Sequence, residues 1–269
     1  MLDTAIVGFI DILGYEKIVR NHTEDIDLVR NIEKTLKISV GLAKQHIPMP
    51  KEEYQIYCNK IVETYKSRII CDSAIFTMNI SKIMPDSKCD YNKHISNHFW
   101  FYFNAISMFY MMFTPKIGSI IRGGIALGPH YENDEDKNLF IFSRAFVDAV
   151  KLEKEQKGKG LARVTIHDNL LSYLKKISFP YMDNCFDKDS YGATRFNLYL
   201  FLKADFEFHK ILSDIKKALI ANVKFNKHYK NDKELKKLSY FIKYHNQKVS
   251  ECSQDLREFL IDEKIFFKD

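Results

Sequence analysis

The stretch from Phe99 to Phe113, FWFYFNAISMFYMMF, is apolar or aromatic at nearly every position and constrains the fold more than any other part of the chain. It falls short of the roughly 20 apolar residues that a membrane-crossing helix needs, and it holds Asn104 and Ser107. A helix that is apolar all round must be covered on all sides by protein, so these residues predict a helix buried in a large core. The chain has the means to build one. At 269 residues it exceeds the usual domain size of roughly 100–150, which fits one large domain or a core with an extension.

Composition narrows the class further. Hydrophobic residues make up 46% and aromatics 14%, against 10 Gly and 6 Pro, which excludes disorder as the main state. Cys58, Cys71, Cys89, Cys185 and Cys252 are scattered and include no C-x-x-C pair, so they read as reduced thiols of a cytoplasmic protein. An acidic residue, Asp3, stands where a secretion signal would be basic, and no export is expected. Net charge is +6, with 14 basic and 10 acidic residues in the last 64 positions. That excess favours an anionic ligand but reads as solvated helix faces, with no nucleic-acid or membrane partner expected.

Along the chain, Thr4 to Ile10 is a strand that ends at Asp11, and leucines and isoleucines at helical spacing follow from Tyr15 to Lys44, before Pro48 and Pro50. Arg68 to Met78 reads as a hairpin turning at Cys71-Asp72-Ser73. A polar loop at 84–93, the aromatic helix ending near Pro115, a strand at 117–127, a turn-rich segment at 132–137 and an edge strand at 138–142 come next. Arg144 to Lys157 is an amphipathic helix stopped by Gly158-Lys159-Gly160. A strand at 161–166, a short helix at 167–175 and a last strand at 196–202 complete residues 1–203, the first expected domain. Residues 204–269 form a lysine-rich helical extension. This order predicts an α+β fold with a ferredoxin-like split β-α-β core.

Phosphate-loop and dinucleotide fingerprints are absent, and His94 and His98, four apart, lack the glutamate of H-E-x-x-H. Ser73 has no G-x-S-x-G setting. Asp11 and Asp72 remain, each at the end of an apolar run beside small residues. Carboxylates at buried strand ends need a positive partner, and hard divalent cations prefer such oxygen ligands. The plainer alternative is that Asp11 caps a helix and Asp72 makes a turn.

Phe9-Ile-Asp-Ile-Leu-Gly-Tyr15, Cys71-Asp-Ser73, Ile121-Arg-Gly-Gly-Ile-Ala-Leu-Gly128 and Ala149-Val-Lys-Leu-Glu153 occur in one order. Together they resemble the class III nucleotidyl cyclase homology domain over residues 4 to 170. Within that superfamily the R-G-G-I strand with a degenerate final helix is most similar to the bacterial pyrimidine cyclases of Pycsar antiphage systems. The resemblance implies conversion of UTP or CTP to a 3′,5′-cyclic pyrimidine monophosphate and pyrophosphate, with the product read by a separate effector. It also implies two divalent cations, Mg²⁺ or Mn²⁺, held by Asp11, Asp72 and the Ile12 carbonyl, and amides from Leu13 through Gly14 to Tyr15 facing the triphosphate.

A two-fold homodimer with sites at the interface is implied as well. The positions of the family's asparagine and arginine fall on Val147 and Lys151, so Lys151 is the expected catalytic cation, with Arg122 or Arg144 as substitutes. The base-reading positions fall on Arg68 and Phe140, a long donor and a bulky ring that suit a pyrimidine, with UTP ahead of CTP. A purine cyclase of the same fold and a non-catalytic nucleotide- or RNA-binding module are the alternatives. Arg122 pairing with acidic residues beside its strand is a further one.

Overall fold

The computed structural model describes residues 2–15, 25–27, 29–31, 33–35, 38, 63–70, 72–83, 91–133, 140–203, 208–252 and 256–267. Most of the helix expected over 15–44, the prolines after it, Cys71 and the segments at 84–90 and 134–139 lie outside these residues.

Strand β1 (Asp3–Ile12) is an interior strand of the sheet. It pairs antiparallel on one side with β3 (Ser73–Asn79) and on the other with β4 (Ile121–Asn133). Outside β3 lies β2 (Tyr65–Ile70), its antiparallel hairpin partner. The order β2-β3-β1-β4 is that of the expected ferredoxin-like core, within a mixed α+β fold. Beyond β4 the sheet continues through β6 (Val164–Ile166), parallel to β4, then β8 (Thr194–Phe196) and β7 (Phe186–Lys188). Strand β5 (Phe140–Ser143) pairs with the far end of β4.

Helix α1 (Tyr91–Ile117) carries the aromatic run, and every residue from Phe101 to Tyr110 is buried. It covers the sheet face that bears Ile6, Ile10 and Ile12, and its other flank takes α4 (His209–His228). That sandwich is why the run has no polar face. Helix α2 (Arg144–Lys159) covers the opposite face, packing Ala145 and Phe146 on Val7, Phe9 and Ile75. Ser143 caps its start by accepting the Phe146 amide, and Gly160, at φ 68°, ends it as expected of the Gly-Lys-Gly stop.

Two glycines of R-G-G-I are dictated by packing. A Cβ on Gly123 would lie 2.3 Å from the Phe9 carbonyl oxygen, and one on Gly124 would lie 2.3 Å from the Ala149 carbonyl oxygen of α2. The motif thus draws α2 against the sheet.

Three boundaries differ from the sequence reading. Helix α1 runs on through Pro115 to Ile117, and β4 starts at Ile121 after Gly118, at φ 71°. The strand expected at 161–166 is confined to Val164–Ile166, and the one expected at 196–202 ends at Phe196. There the backbone turns away from sheet pairing because side chains satisfy it. The Leu198 amide donates to Tyr244 Oη, the Leu198 carbonyl accepts from Ser107, and the Tyr199 amide donates to Asn197. Leu200–Lys203 then forms a 3₁₀ turn.

After α3 (Asp168–Lys176), the chain ends in α4 and α5 (Asp232–Ser250), whose buried apolar residues Leu212, Leu219, Phe241 and Ile242 join the same core as α1. No described helix is long and apolar enough to cross a membrane.

Candidate active site

Asp11 lies one residue before the end of β1, with Ser73 opposite it on β3 and Arg122 opposite it on β4. Directly opposed residues share a sheet face, so this register aims the Arg122 guanidinium at the Asp11 carboxylate. Arg122 Nη2 donates to Asp11 Oδ2 at 2.5 Å, while its Nε donates to Glu153 Oε1 of α2 at 2.7 Å. The three side chains are nearly buried, and Arg122 is only 1% exposed. Arg122 therefore takes the alternative weighed above, pairing with acids beside its strand, while it also borders the cavity described below. Its Nη1 is buried without a hydrogen-bond partner.

Asp72 occupies the β2–β3 turn, and its backbone carbonyl accepts the Ile12 amide at 2.8 Å. Ser73 Oγ donates to Asp72 Oδ1 at 3.2 Å. The tie between Ile12 and Asp72 brings the two aspartates to one rim. Burial pushes the Asp11 carboxyl up to about 6; Glu153 and Asp72 push the same way, against the attraction of Arg122 and Lys157. Asp11 sits within a strand and is paired, so the capping role does not describe it.

A cavity of about 470 Å³ opens on this rim. Asp11, Ile12, Leu13, Gly14, Tyr15, Asp72 and Arg122 all border it, which gathers seven of the residues singled out from sequence. Gly14 turns the chain there at φ 82°, a left-handed conformation that a side chain would strain. One expectation is corrected: the Leu13 amide does not face a triphosphate, because it donates to the Ile120 carbonyl at 3.0 Å and extends the ladder past β1.

Two carboxylates and the Ile12 carbonyl on one rim are the hard oxygen donors that Mg²⁺ or Mn²⁺ favours, and the partly neutralised Asp11 lacks full compensation of its charge. The donor set fits such ions. Among the described residues no group of three or more His, Cys, Asp or Glu is placed to hold a metal ion, at this rim or elsewhere, so the side-chain donors here are the two aspartates. The His94 and His98 rings meet edge to face within α1, centroids 4.7 Å apart, with His98 Nδ1 3.0 Å from the His94 carbonyl.

No family model matches the sequence, and no curated protein matches it. Among solved structures, the chain is similar to the adenylyl cyclase CyaB of P. aeruginosa at 13% identity, over 65% of this chain and 82% of that one, with a TM-score of 0.40. It is similar to the guanylyl cyclase domain of the RhoGC fusion protein from the aquatic fungus Blastocladiella emersonii at 16% identity, over 72% and 93%, with a TM-score of 0.36. A bacterial light-regulated adenylyl cyclase is similar at 12% identity, over 81% of this chain and 58% of that one, with a TM-score of 0.41.

Four residues singled out from sequence do not border the cavity. Arg68 donates to Glu132 Oε1 through Nε at 3.0 Å and Nη2 at 2.5 Å, at the far end of β4. Phe140, 58% exposed, pairs in register with Asn133, the neighbour of Glu132. Arg144 bonds Asp148 one turn along α2 at 3.0 Å, and Lys151 is exposed on the same helix.

Other cavity residues were not singled out by sequence reasoning. Lys157 follows Ala149 and Glu153 at four-residue steps along one face of α2, a signal that was available. Asn226, Lys233 and Lys237 come from α4 and α5, more than 140 residues after Asp72, and carry no local signature.

Proposed function

We propose that this chain is a metal-dependent nucleotidyl cyclase of the class III type whose substrate is a pyrimidine nucleoside triphosphate, UTP before CTP. The observation that carries the reading is convergence. The four motif segments, separated by up to 140 residues, meet at one point: Asp11 faces Ser73 and Arg122 across the sheet, and Arg122 bonds Glu153. A helix cap and an unrelated turn give no reason for that meeting.

In the reaction the ribose 3′-oxygen bonds to the α-phosphorus, the α–β bridging bond breaks, and pyrophosphate leaves. Asp11, Asp72 and the Ile12 carbonyl would hold two divalent cations. When bound, such a pair supplies charge stabilisation to the attacking and leaving oxygens. Arg122 acts on Asp11, fixing one carboxylate oxygen and leaving the other for a ligand. The turn at Gly14 and Tyr15 brings backbone to the rim where phosphate oxygens would lie.

The remaining expected residues lie apart from that rim, which supports assembly of complete sites across a homodimer. Tyr131, Phe140, Phe142 and Val147, each 47–63% exposed, support the β4–β5 hairpin and the first turn of α2 as the contact surface in this reading. In this reading Lys151 acts on the partner's substrate, and Arg68 and Phe140, joined through the hairpin, meet its base. Arg144 belongs to the same surface. By the motif resemblance, the cyclic product would serve antiphage signalling through a separate effector.

Incubation with an equimolar mixture of UTP, CTP, ATP and GTP and Mn²⁺ tests the substrate. Cyclic products should accumulate in that order, and Arg68→Ala should raise KM for the pyrimidine more than it lowers kcat. A dominant cyclic AMP or cyclic GMP product would overturn the pyrimidine reading.

A further inference from the structure

The lysine-rich C-terminal helices line the same cavity as the two aspartates. We propose that the corner between α4 and α5 is a polyphosphate-binding element, with Lys233 acting together with Lys157. This deepens the cyclase reading and rests on it for the identity of the substrate.

Charge is the first reason. The cavity is bordered by three carboxylates, Asp11, Asp72 and Glu234, and by four cations, Arg122, Lys157, Lys233 and Lys237. Glu153, which pairs with Arg122 just behind this lining, makes the local charge even, so a cavity loaded with divalent cations would be positive and would select a polyanion.

The cations divide by environment. Arg122 is buried and engaged by Asp11 and Glu153, and Lys237 is buried with its ammonium 2.5 Å from Glu234. Lys157 and Lys233 are exposed and make no salt bridge with another described residue, while Lys157 attracts Asp11 through space. They come from different elements, one from the last turn of α2 and the other from the first turn of α5. Two long, flexible ammonium groups bordering one cavity suit a chain of phosphates better than a single carboxylate.

Unsatisfied polar atoms are the second reason. Arg122 Nη1 and Asn226 Oδ1 are both buried without a hydrogen-bond partner, and both residues border the cavity. The Asn226 side chain is held by its own donation to the Asn222 carbonyl at 2.9 Å, and its backbone carbonyl accepts the Asn231 amide at 2.9 Å. These bonds fix the α4–α5 corner and leave one buried donor and one buried acceptor unsatisfied in residues that line the cavity.

The test is titration calorimetry of the full chain with inorganic tripolyphosphate and Mg²⁺, so that binding is read without turnover. Lys233→Ala should weaken binding about tenfold, the loss of one charge-assisted contact, and Lys157→Ala with Lys233→Ala should weaken it further. Lys233→Arg should restore most of it. Lys236→Ala, which removes a neighbouring lysine that does not border the cavity, should leave the dissociation constant within twofold. Thermal unfolding should be unchanged in all four variants.

The proposal is overturned if wild-type protein fails to bind tripolyphosphate, or if the double variant binds it as wild type does. Cyclic product with KM unmoved by Lys233→Ala would sink this inference and leave the cyclase reading standing. Lysine-dependent tripolyphosphate binding with no cyclic product from any nucleotide would do the reverse.

Discussion

Asp11 holds its proton up to about pH 6, which gives it a measurable signature. Below that pH the proton competes with a cation, so the apparent Mn²⁺ affinity should rise about tenfold per pH unit from 4.5 to 6 and level off above, as calorimetry at several pH values would record. Asp11→Asn should bind weakly and without that slope. Stability without metal runs the other way. Between 3.8 and about 6 the folded chain keeps a proton that the unfolded chain has lost, so stability falls as pH rises through this window, by up to ~3 kcal/mol. Chemical denaturation at pH 4 and pH 7 measures it, and saturating Mn²⁺ should remove the deficit at pH 7. Arg122→Met should destabilise by about 3–5 kcal/mol, because it strands Asp11 and Glu153 without their shared cation. At this scale Asp11 and Asp72 were legible in the sequence because a carboxylate closing an apolar run is conspicuous. Lys233 and Asn226 were not, since a lysine in a lysine-rich helix looks like a solvated face until the chain folds back.

The elements show where sequence periodicity suffices and where it fails. Helix α1 and the β2–β3 hairpin follow directly from an apolar run and a turn. The last expected strand stops short because Ser107, Asn197 and Tyr244 take its backbone groups, which no local pattern announces. The pair Gly123 and Gly124 links motif to architecture, since each admits a backbone carbonyl where a methyl group would collide. Gly124→Ala should therefore lower stability by ~3 kcal/mol or more and, by lifting α2, separate Glu153 from Arg122. A thermal unfolding midpoint equal to wild type would contradict this. Gly158→Ala, with open space around its Cβ, is the matched control.

For the whole molecule, the proposed homodimer would account for both the exposed patch on the β4–β5 hairpin and the displacement of Lys151 from the aspartate cavity. Asp72→Ala and Lys151→Ala chains, each inactive alone, should recover about a quarter of wild-type activity when mixed, because half the dimers are mixed and each carries one intact site. Failure of the mixture to recover activity would count against the shared site. The order of elements made the ferredoxin-like core readable from sequence, but the packing of the C-terminal helices onto α1 and the aspartate rim was not, because such contacts span more than 100 residues. The most direct measurement is simultaneous quantification of cyclic nucleotide and pyrophosphate from UTP and Mn²⁺ by wild type and by Asp11→Ala. The proposed chemistry predicts equal amounts of cyclic UMP and pyrophosphate from wild type, and less than a few per cent of either from a folded Asp11→Ala. Pyrophosphate without a cyclic product, or turnover that survives loss of Asp11, would contradict it.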